Sequence, residues 1–354
     1  MTQLTSDATS ESRELAKTPG TSRAGLSAWG ALLVVWLVWG STYLAIRVAD
    51  RSIPPFAMAA VRYLTAGAVL YPLAVLGSRR RQLTGQAAAA GAAGHRAASR
   101  LAQWGGMAVV GTMLLAFGNG GVSYAEQILP SGLAALLVAS VPLWMALADR
   151  VINGQRIPLP GWLALVIGLA GIAILARPSG TGAVLPVLVV LGASVSWGIG
   201  SVLAGRLPAP PSPFVGSAME MLAGGIVLTV LAAATGELAR VDPAHVSEQS
   251  LLALLYLIGP GSLLALTCYV IALRRLPTAA VSTYAYVNPV VAVSLGALFL
   301  GERPSPATLL GGVVVVASVA MLLINRTRST QSTGSSAADA GDTAVAQDGP
   351  HPDR

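Results

Sequence analysis

The stretches VWGSTYLAIR (38–47) and SWGIGSVLAG (196–205) share a Trp-Gly pair, Trp39-Gly40 and Trp197-Gly198, at a spacing of 158 residues. Further along, Pro55-Phe56 recurs as Pro213-Phe214, and Arg62 stands where Glu220 stands, at the same spacing. Leu129-Pro130-Ser131 then recurs as Leu276-Pro277-Thr278, and Pro142 as Pro289, 147 residues apart. The spacing drops from 158 to 147, by 11, because the first copy carries an extra Arg/Ala/Gly stretch around residues 78 to 102. A repeat of this length lies far beyond solenoid periods of roughly 20 to 50 residues. In a very apolar chain it points to a duplicated membrane protein, the usual construction of secondary transporters.

Hydrophobic residues make up 54% of the 354 and charged residues only 10%, with a mean hydropathy of +0.68. A soluble domain carries roughly 25% charge, so a soluble globular fold is excluded. Apolar runs with at most one internal charge lie near 28–46, 56–78, 103–125, 130–148, 158–176, 183–205, 214–236, 250–273, 278–301 and 305–325. Each is close to the roughly 20 residues that cross about 30 Å of hydrocarbon. The period-2 alternation of a membrane barrel is missing from them. The fold class expected is therefore all-α integral membrane, with ten transmembrane helices divided five to each repeat.

Basic residues set the orientation. With the N-terminus inside, the inner segments hold 16 of the 22 basic residues, the outer loops hold 5, and Arg62 lies within a helix. That bias predicts both termini in the cytoplasm. Five helices per copy make the second repeat enter the membrane upside down. The corner at Glu126-Gln127 is acidic or neutral, whereas its counterpart in the second copy is Arg274-Arg275, as expected for inverted repeats.

The organisation predicted is a disordered cytoplasmic N-terminus at 1–25, a first repeat at 28–176, a second at 183–325, and a disordered cytoplasmic tail at 327–354. The first repeat contains a low-complexity cytoplasmic linker at 78–102. No cleavage pattern follows the first apolar run, so it is expected to stay as helix 1. The loop 237–249 is expected to form a short surface helix. The single Cys268 excludes an internal disulfide and reads as a small apolar filler.

VWGSTYLAIR (38–47), PPFAMAAVRYL (54–64), FGNGGVSYAEQILPSGLAALLVASVPLW (117–144) and TYAYVNPVVAVSLGALFLGE (283–302) together resemble the EamA family of the drug/metabolite transporter superfamily. Within it they are most similar to the YedA-type inner-membrane exporters. The resemblance covers about residues 28 to 325. It implies a substrate cavity between two inverted five-helix EamA repeats and export of small metabolites or drugs across the plasma membrane. The linker at 78–102 departs from the compact family pattern but lies away from any motif.

Few polar residues fall inside the apolar runs. Arg62 and Glu220 are repeat-equivalent and nearly two turns into helices 2 and 7, where charge costs several kcal/mol and is functional by default. Snorkelling weighs against this for Arg62; it weighs less for the shorter Glu220, the proton-coupling candidate. Pro142 and Pro289 are read as kinks in helices 4 and 9, which free carbonyls for a ligand or simply bend the bundle. Asn288, with Tyr284 and Tyr286 nearby, and Asn119, among glycines, each carry an amide that needs a partner. Trp29, Trp104 and Trp162 fall near span ends, as interface anchors do. Trp39 and Trp197 lie nearer mid-span and are read as lining the cavity or packing the halves together. Ser41 and Tyr43, with Thr42, offer hydroxyls to a solute, or to carbonyls of their own helix.

The three histidines, His95, His245 and His351, lie in the linker, an outer loop and the tail. A Ser–His protease or His-ligated metal site inside the membrane is therefore unsupported, and no HExxH, nucleophile elbow or Walker motif occurs. No enzyme activity, cofactor, metal or nucleic-acid partner is expected. The expected partners are a small-molecule solute, amino-acid-like or amphipathic, and the lipid bilayer, with a homodimer left open. Export by alternating access with proton coupling is the leading reading. A lipid or lipid-precursor flippase is the alternative, ahead of a channel, for which charge rings and a filter loop are missing.

Overall fold

The computed structural model describes residues 23–83, 99–176 and 184–324. Most of the linker, the tail at 327–354 and residues 1–22 lie outside these residues, and with them most of the predicted disorder. Helix α1 begins at Arg23, inside the stretch expected to be disordered to residue 25.

Among the described residues all regular structure is helical. The helices are α1 Arg23–Ala49, α2 Pro55–Leu83, α3 Arg100–Glu126, α4 Ser131–Asn153, α5 Leu159–Leu175, α6 Val184–Ala204, α7 Pro213–Ala234, α8 Glu248–Arg275, α9 Tyr284–Leu300 and α10 Pro306–Ile324. Eight are long and apolar enough to cross a membrane; α5 and α9 are apolar but have 17 residues each. At 1.5 Å per residue these two reach about 26 Å, slightly less than the hydrocarbon thickness. Helix α2 continues past the expected end at residue 78 through Arg79, Arg80 and Arg81 to Leu83. The loop after α7 forms a short α-helix, Glu237–Arg240, as expected for this stretch, followed by a 3₁₀ turn, Pro243–His245.

Local chemistry sets the boundaries. Proline opens α2 at Pro55 and α7 at Pro213, where a missing backbone N–H costs nothing. Helices α4 and α9 end at Gly154 and Gly301, with φ of 66° and 65°, a left-handed cap that glycine adopts without strain. These two glycines are themselves 147 residues apart.

The packing repeats as the sequence does. Helix α2 lies along α7, and the contacts are reciprocal: a Cβ at Gly67 would meet the Leu222 side chain at 2.9 Å, and one at Gly225 would meet Leu64 at 2.8 Å. Residue number rises along one helix as it falls along the other, so these repeat-equivalent helices are antiparallel. Gly40 of α1 fits against Val291 of α9, and Gly198 of α6 against Trp144 of α4, again exchanging equivalent positions. Small residues are needed here because close backbone approach drives helix association where lipid is as apolar as the side chains.

Helices α3 and α8 share an irregularity, a π-helical segment at Thr112–Asn119 and another at Leu257–Leu264. Such segments leave carbonyls out of the α-helical ladder and recur at functional sites. Ser196 Oγ donates to Met113 O at 2.9 Å, and Ser262 Oγ to Leu257 O at 2.9 Å. Helix α4 breaks at Ala139-Ser140, and Pro142 sits in the first turn after the break. Pro289 lies within α9, which is preceded by a short turn at Thr278–Val281. Large apolar side chains such as Leu33, Leu163, Leu188, Leu298 and Phe299 face outward, as they would toward lipid.

Candidate functional site

The repeats interlock. Helix α1 of the first packs on α8 and α9 of the second, and α6 of the second packs on α3 and α4 of the first. Trp39, Ser41, Trp197, Tyr284 and Asn288 lie along these seams, whereas Arg62 is on α2 and Glu220 on α7.

Trp39 packs against Tyr269 at a 40° tilt with centroids 5.1 Å apart and meets Tyr284 edge-on at 5.3 Å; Tyr269 and Tyr284 meet at 5.8 Å. Its repeat partner Trp197 does something different: its ring lies against Gly118, where a Cβ would fall 3.0 Å from Cε3, and it holds α6 to α3. Ser41 Oγ donates to Val38 O at 2.9 Å, the local bond that membrane helices allow, and accepts from the Tyr256 hydroxyl at 2.6 Å. Thr42 similarly donates to Trp39 O. Asn288 Nδ2, with its amide turned to suit its surroundings, donates to Trp36 O and Tyr284 O, both at 3.2 Å. This amide ties α9 to α1. Trp36 Nε1 adds a bond to Thr283 Oγ1 at 3.1 Å on the same seam.

Arg62 is 6% exposed. Its Nε donates to Ser262 Oγ at 3.0 Å, on the π-helical segment of α8, and its guanidinium carbon lies 4.8 Å from the Tyr63 ring centroid. Among the described residues it forms no ion pair with Glu220 or any other carboxylate. Glu220 is half-buried on α7, its backbone pressed against Gly111 of α3. Tyr43 and Asn119 are half-buried as well. The repeat-equivalent charges thus lie apart: Arg62 faces α8 from α2, and Glu220 lies where α7 meets α3. Of the tryptophans expected near span ends, Trp29 and Trp162 are exposed, whereas Trp104 packs on Tyr71 at 5.8 Å.

A second group of residues was not foreseen. It lies where α1, α3, α7 and α9 end and α2, α4, α8 and α10 begin. Glu302 accepts from Ser131 N at 2.8 Å, Ser131 Oγ at 3.0 Å and Gly132 N at 3.1 Å, capping α4. Glu237 accepts from Phe56 N at 2.8 Å and Ala57 N at 3.1 Å, capping α2. Carboxylates suit helix N-termini because the free N–H groups and the helix dipole both favour negative charge. Burial pushes the Glu237 carboxyl up from the ordinary range, and its bonds from Ala57 and Phe56 pull it back. Glu126, read from the sequence as a loop corner, is instead the last helical residue of α3 and is fully buried. A cavity of about 470 Å³ here is lined by Arg47, Asp50, Arg51, Glu126, Gln127, Leu300 and Glu302.

Ser262, Tyr256 and Tyr269 escaped the sequence reading because a hydroxyl in an apolar run has no distinctive spacing. The positions 147 residues upstream of Tyr269 and Tyr256 are Val122 and Val109, so repeat comparison offered no hint.

This arrangement accompanies a match over residues 27–177 and again over 184–324 to the EamA-like transporter family. The chain belongs to that family. It is a membrane transporter and not an enzyme. Among its relatives is the uncharacterized inner membrane transporter YedA of Escherichia coli strain K12, 38% identical over 84% of this chain and 91% of that protein. Another is a probable terminal-alkyne amino-acid exporter of Streptantibioticus cattleyicolor, 28% identical over 84% of this chain and 93% of that one. A crystal structure shares the fold at a TM-score of 0.54 and 20% identity, covering 86% of this chain and 98% of the other.

Proposed function

We propose that this EamA protein exports small organic solutes, amino-acid-like or amphipathic, from the cytoplasm by alternating access, with Glu220 carrying a coupling proton. All ten apolar helices cross the inner membrane, and both termini are cytoplasmic. The observation that carries the reading is the antiparallel, reciprocal packing of α2 on α7. Two halves related in this way can rock about one seam and expose it to either side in turn. Trp39, Tyr43, Arg62, Asn119, Trp197, Glu220 and Tyr284 line the solute path, with Tyr269 as a further wall. Ser41 and Asn288 hold its helices in register through their bonds. The aromatic faces offer apolar contact and the cation Arg62 offers a place for an anionic group. The amino-acid exporter among the relatives favours a solute of that class.

Medium from cells overexpressing the chain should contain at least one amino-acid-like or amphipathic metabolite several-fold enriched over vector controls. Cells with Arg62→Gln, present in the membrane at the same level, should lack that enrichment. Indistinguishable metabolite profiles for wild type and vector would remove the export reading.

The orientation has its own test. In a Cys268→Ala background, Ser247→Cys should react with an impermeant thiol reagent in intact cells, whereas Ser99→Cys should react only after lysis. Both positions are exposed. Labelling of position 99 from outside would invert the topology.

A further inference from the structure

Two buried carboxylates have nothing to bond. Both oxygens of Glu126 and both of Asp50 are enclosed and without a hydrogen-bond partner among the described residues. Glu126 is 0% exposed, and both residues line the 470 Å³ cavity. Leaving an ionised carboxylate dry and unbonded costs several kcal/mol. Native proteins tolerate such a group where a ligand satisfies it.

The surrounding charges narrow the ligand. Arg47 of α1 is a cation on the cavity wall, and its Nη1 donates to the backbone carbonyl of Glu126 rather than to either carboxylate. Glu302, from the α9–α10 loop, is occupied by Ser131 and Gly132. Glu237, after α7, is occupied by Phe56 and Ala57. Arg51 and Gln127 complete the cavity wall, Arg240 and Tyr124 line the adjoining cavity, and Tyr43 of α1 is near Glu126. On the cavity wall the three carboxylates Asp50, Glu126 and Glu302 face two arginines, Arg47 and Arg51, which leaves one negative charge uncompensated. A single monovalent cation would cancel it.

We propose that Asp50 and Glu126 together form a proton-binding site, distinct from Glu220, at the end of the bundle where α1 and α3 terminate. Binding converts one carboxylate to a carboxylic acid, whose O–H supplies the donor that the four oxygens lack. Release returns the proton to the cavity and leaves both groups ionised. Nothing else changes hands. A divalent metal is a poorer fit, because no three His, Cys, Asp or Glu side chains among the described residues are grouped to hold one. Asp50 also behaves as the site requires: burial and the nearby Glu237 carboxylate push its carboxyl well above the ordinary range, against the pull of Arg47. The site sits beside the caps of α2 and α4. Its charge therefore acts on the α1–α2 and α3–α4 turns, through which a rocking of the halves would be felt. The assignment does not depend on which solute is exported.

Infrared titration of the purified full chain in lipid nanodiscs reads the site directly. In a Glu220→Gln background, the carbonyl band of a protonated carboxyl should be present at neutral pH and should vanish as the pH is made alkaline. Adding Glu126→Gln, or independently Asp50→Asn, should abolish that band. A neutral-pH band left unchanged by both substitutions would overturn the proposal, as would the absence of any such band in the Glu220→Gln protein. Thermal unfolding supplies a second reading. A group whose folded pKa lies above its unfolded value stabilises the fold at low pH and loses that contribution as pH rises through the folded value. The parent protein should therefore melt progressively lower from acidic to alkaline pH, and the Asp50→Asn/Glu126→Gln protein should show a flatter profile. Equal slopes would count against the site even if one variant folds poorly.

Discussion

Vesicles carrying Glu220→Gln are expected to lose uphill transport driven by a pH gradient while keeping solute–solute counterflow. The amide matches the carboxyl in shape and can bond a solute, so binding and the rocking of a loaded carrier survive. What it cannot do is bind a proton on one side and release it on the other. Glu220 has no ion-pair partner among the described residues, and its counterpart Arg62 is engaged with Ser262. Loss of its charge therefore frees no buried cation. Uphill accumulation of the solute identified from the growth medium should fall to the level of protein-free vesicles, and counterflow should stay within about twofold of wild type, a difference worth less than ~0.5 kcal/mol. Unchanged uphill transport would make Glu220 a packing residue. Loss of both activities would place it in solute binding. Since Asp50 and Glu126 lie at the other group of residues, this experiment and the infrared titration can fail separately.

Gly111→Ala is expected to damage the fold more than any other single methyl added to α3. A Cβ there would collide with the backbone oxygen of Glu220, and the Glu220 carbonyl carbon and Cα would lie 2.9 Å away. Backbone atoms cannot rotate aside as a side-chain tip can, so α3 and α7 must separate. Overpacking of this kind costs about 1–3 kcal/mol. At the scale of roughly 2–4 °C per kcal/mol for a domain of this general size, the melting temperature should drop by several degrees. Transport should fall with it, because α3 and α7 belong to different repeats and the seam between them bears Glu220. Gly105→Ala, six residues earlier on the same helix, meets nothing within 4 Å and is the control. It should be neutral or stabilising by up to about 1 kcal/mol through helix propensity. Equal stability of the two variants would show that α3 and α7 part without cost.

Duplication, the all-helical membrane class and the family were all legible in the chain, because each rests on periodic or local features. A Trp-Gly pair at 158 residues, prolines at 147 and long uncharged runs survive any packing arrangement. Even the Arg62/Glu220 correspondence is visible in the sequence. Their separation is not, since whether equivalent residues touch depends on where the pseudo-twofold crosses α2 and α7. Trp39 and Trp197 make the same point: alike in sequence, they pack on Tyr269 and press on Gly118 respectively, because the facing helices differ. Asn288 and Ser41 carried a polar group whose partner could lie on any neighbouring helix, and tertiary packing supplied Trp36 and Tyr256. Glu126 was the hardest to place. By sequence alone it is one acidic residue before a Leu-Pro turn, indistinguishable from a solvated loop carboxylate. Burial is a property of what the rest of the chain lays over a residue, and α1, with Arg47 and Asp50, is more than seventy positions away from it. Arg62 and Glu220 could be read as charges in the bundle because long apolar runs enclose them; that Glu126 joins them, and that it has no hydrogen-bond partner among the described residues, depends on packing from α1 and the loops.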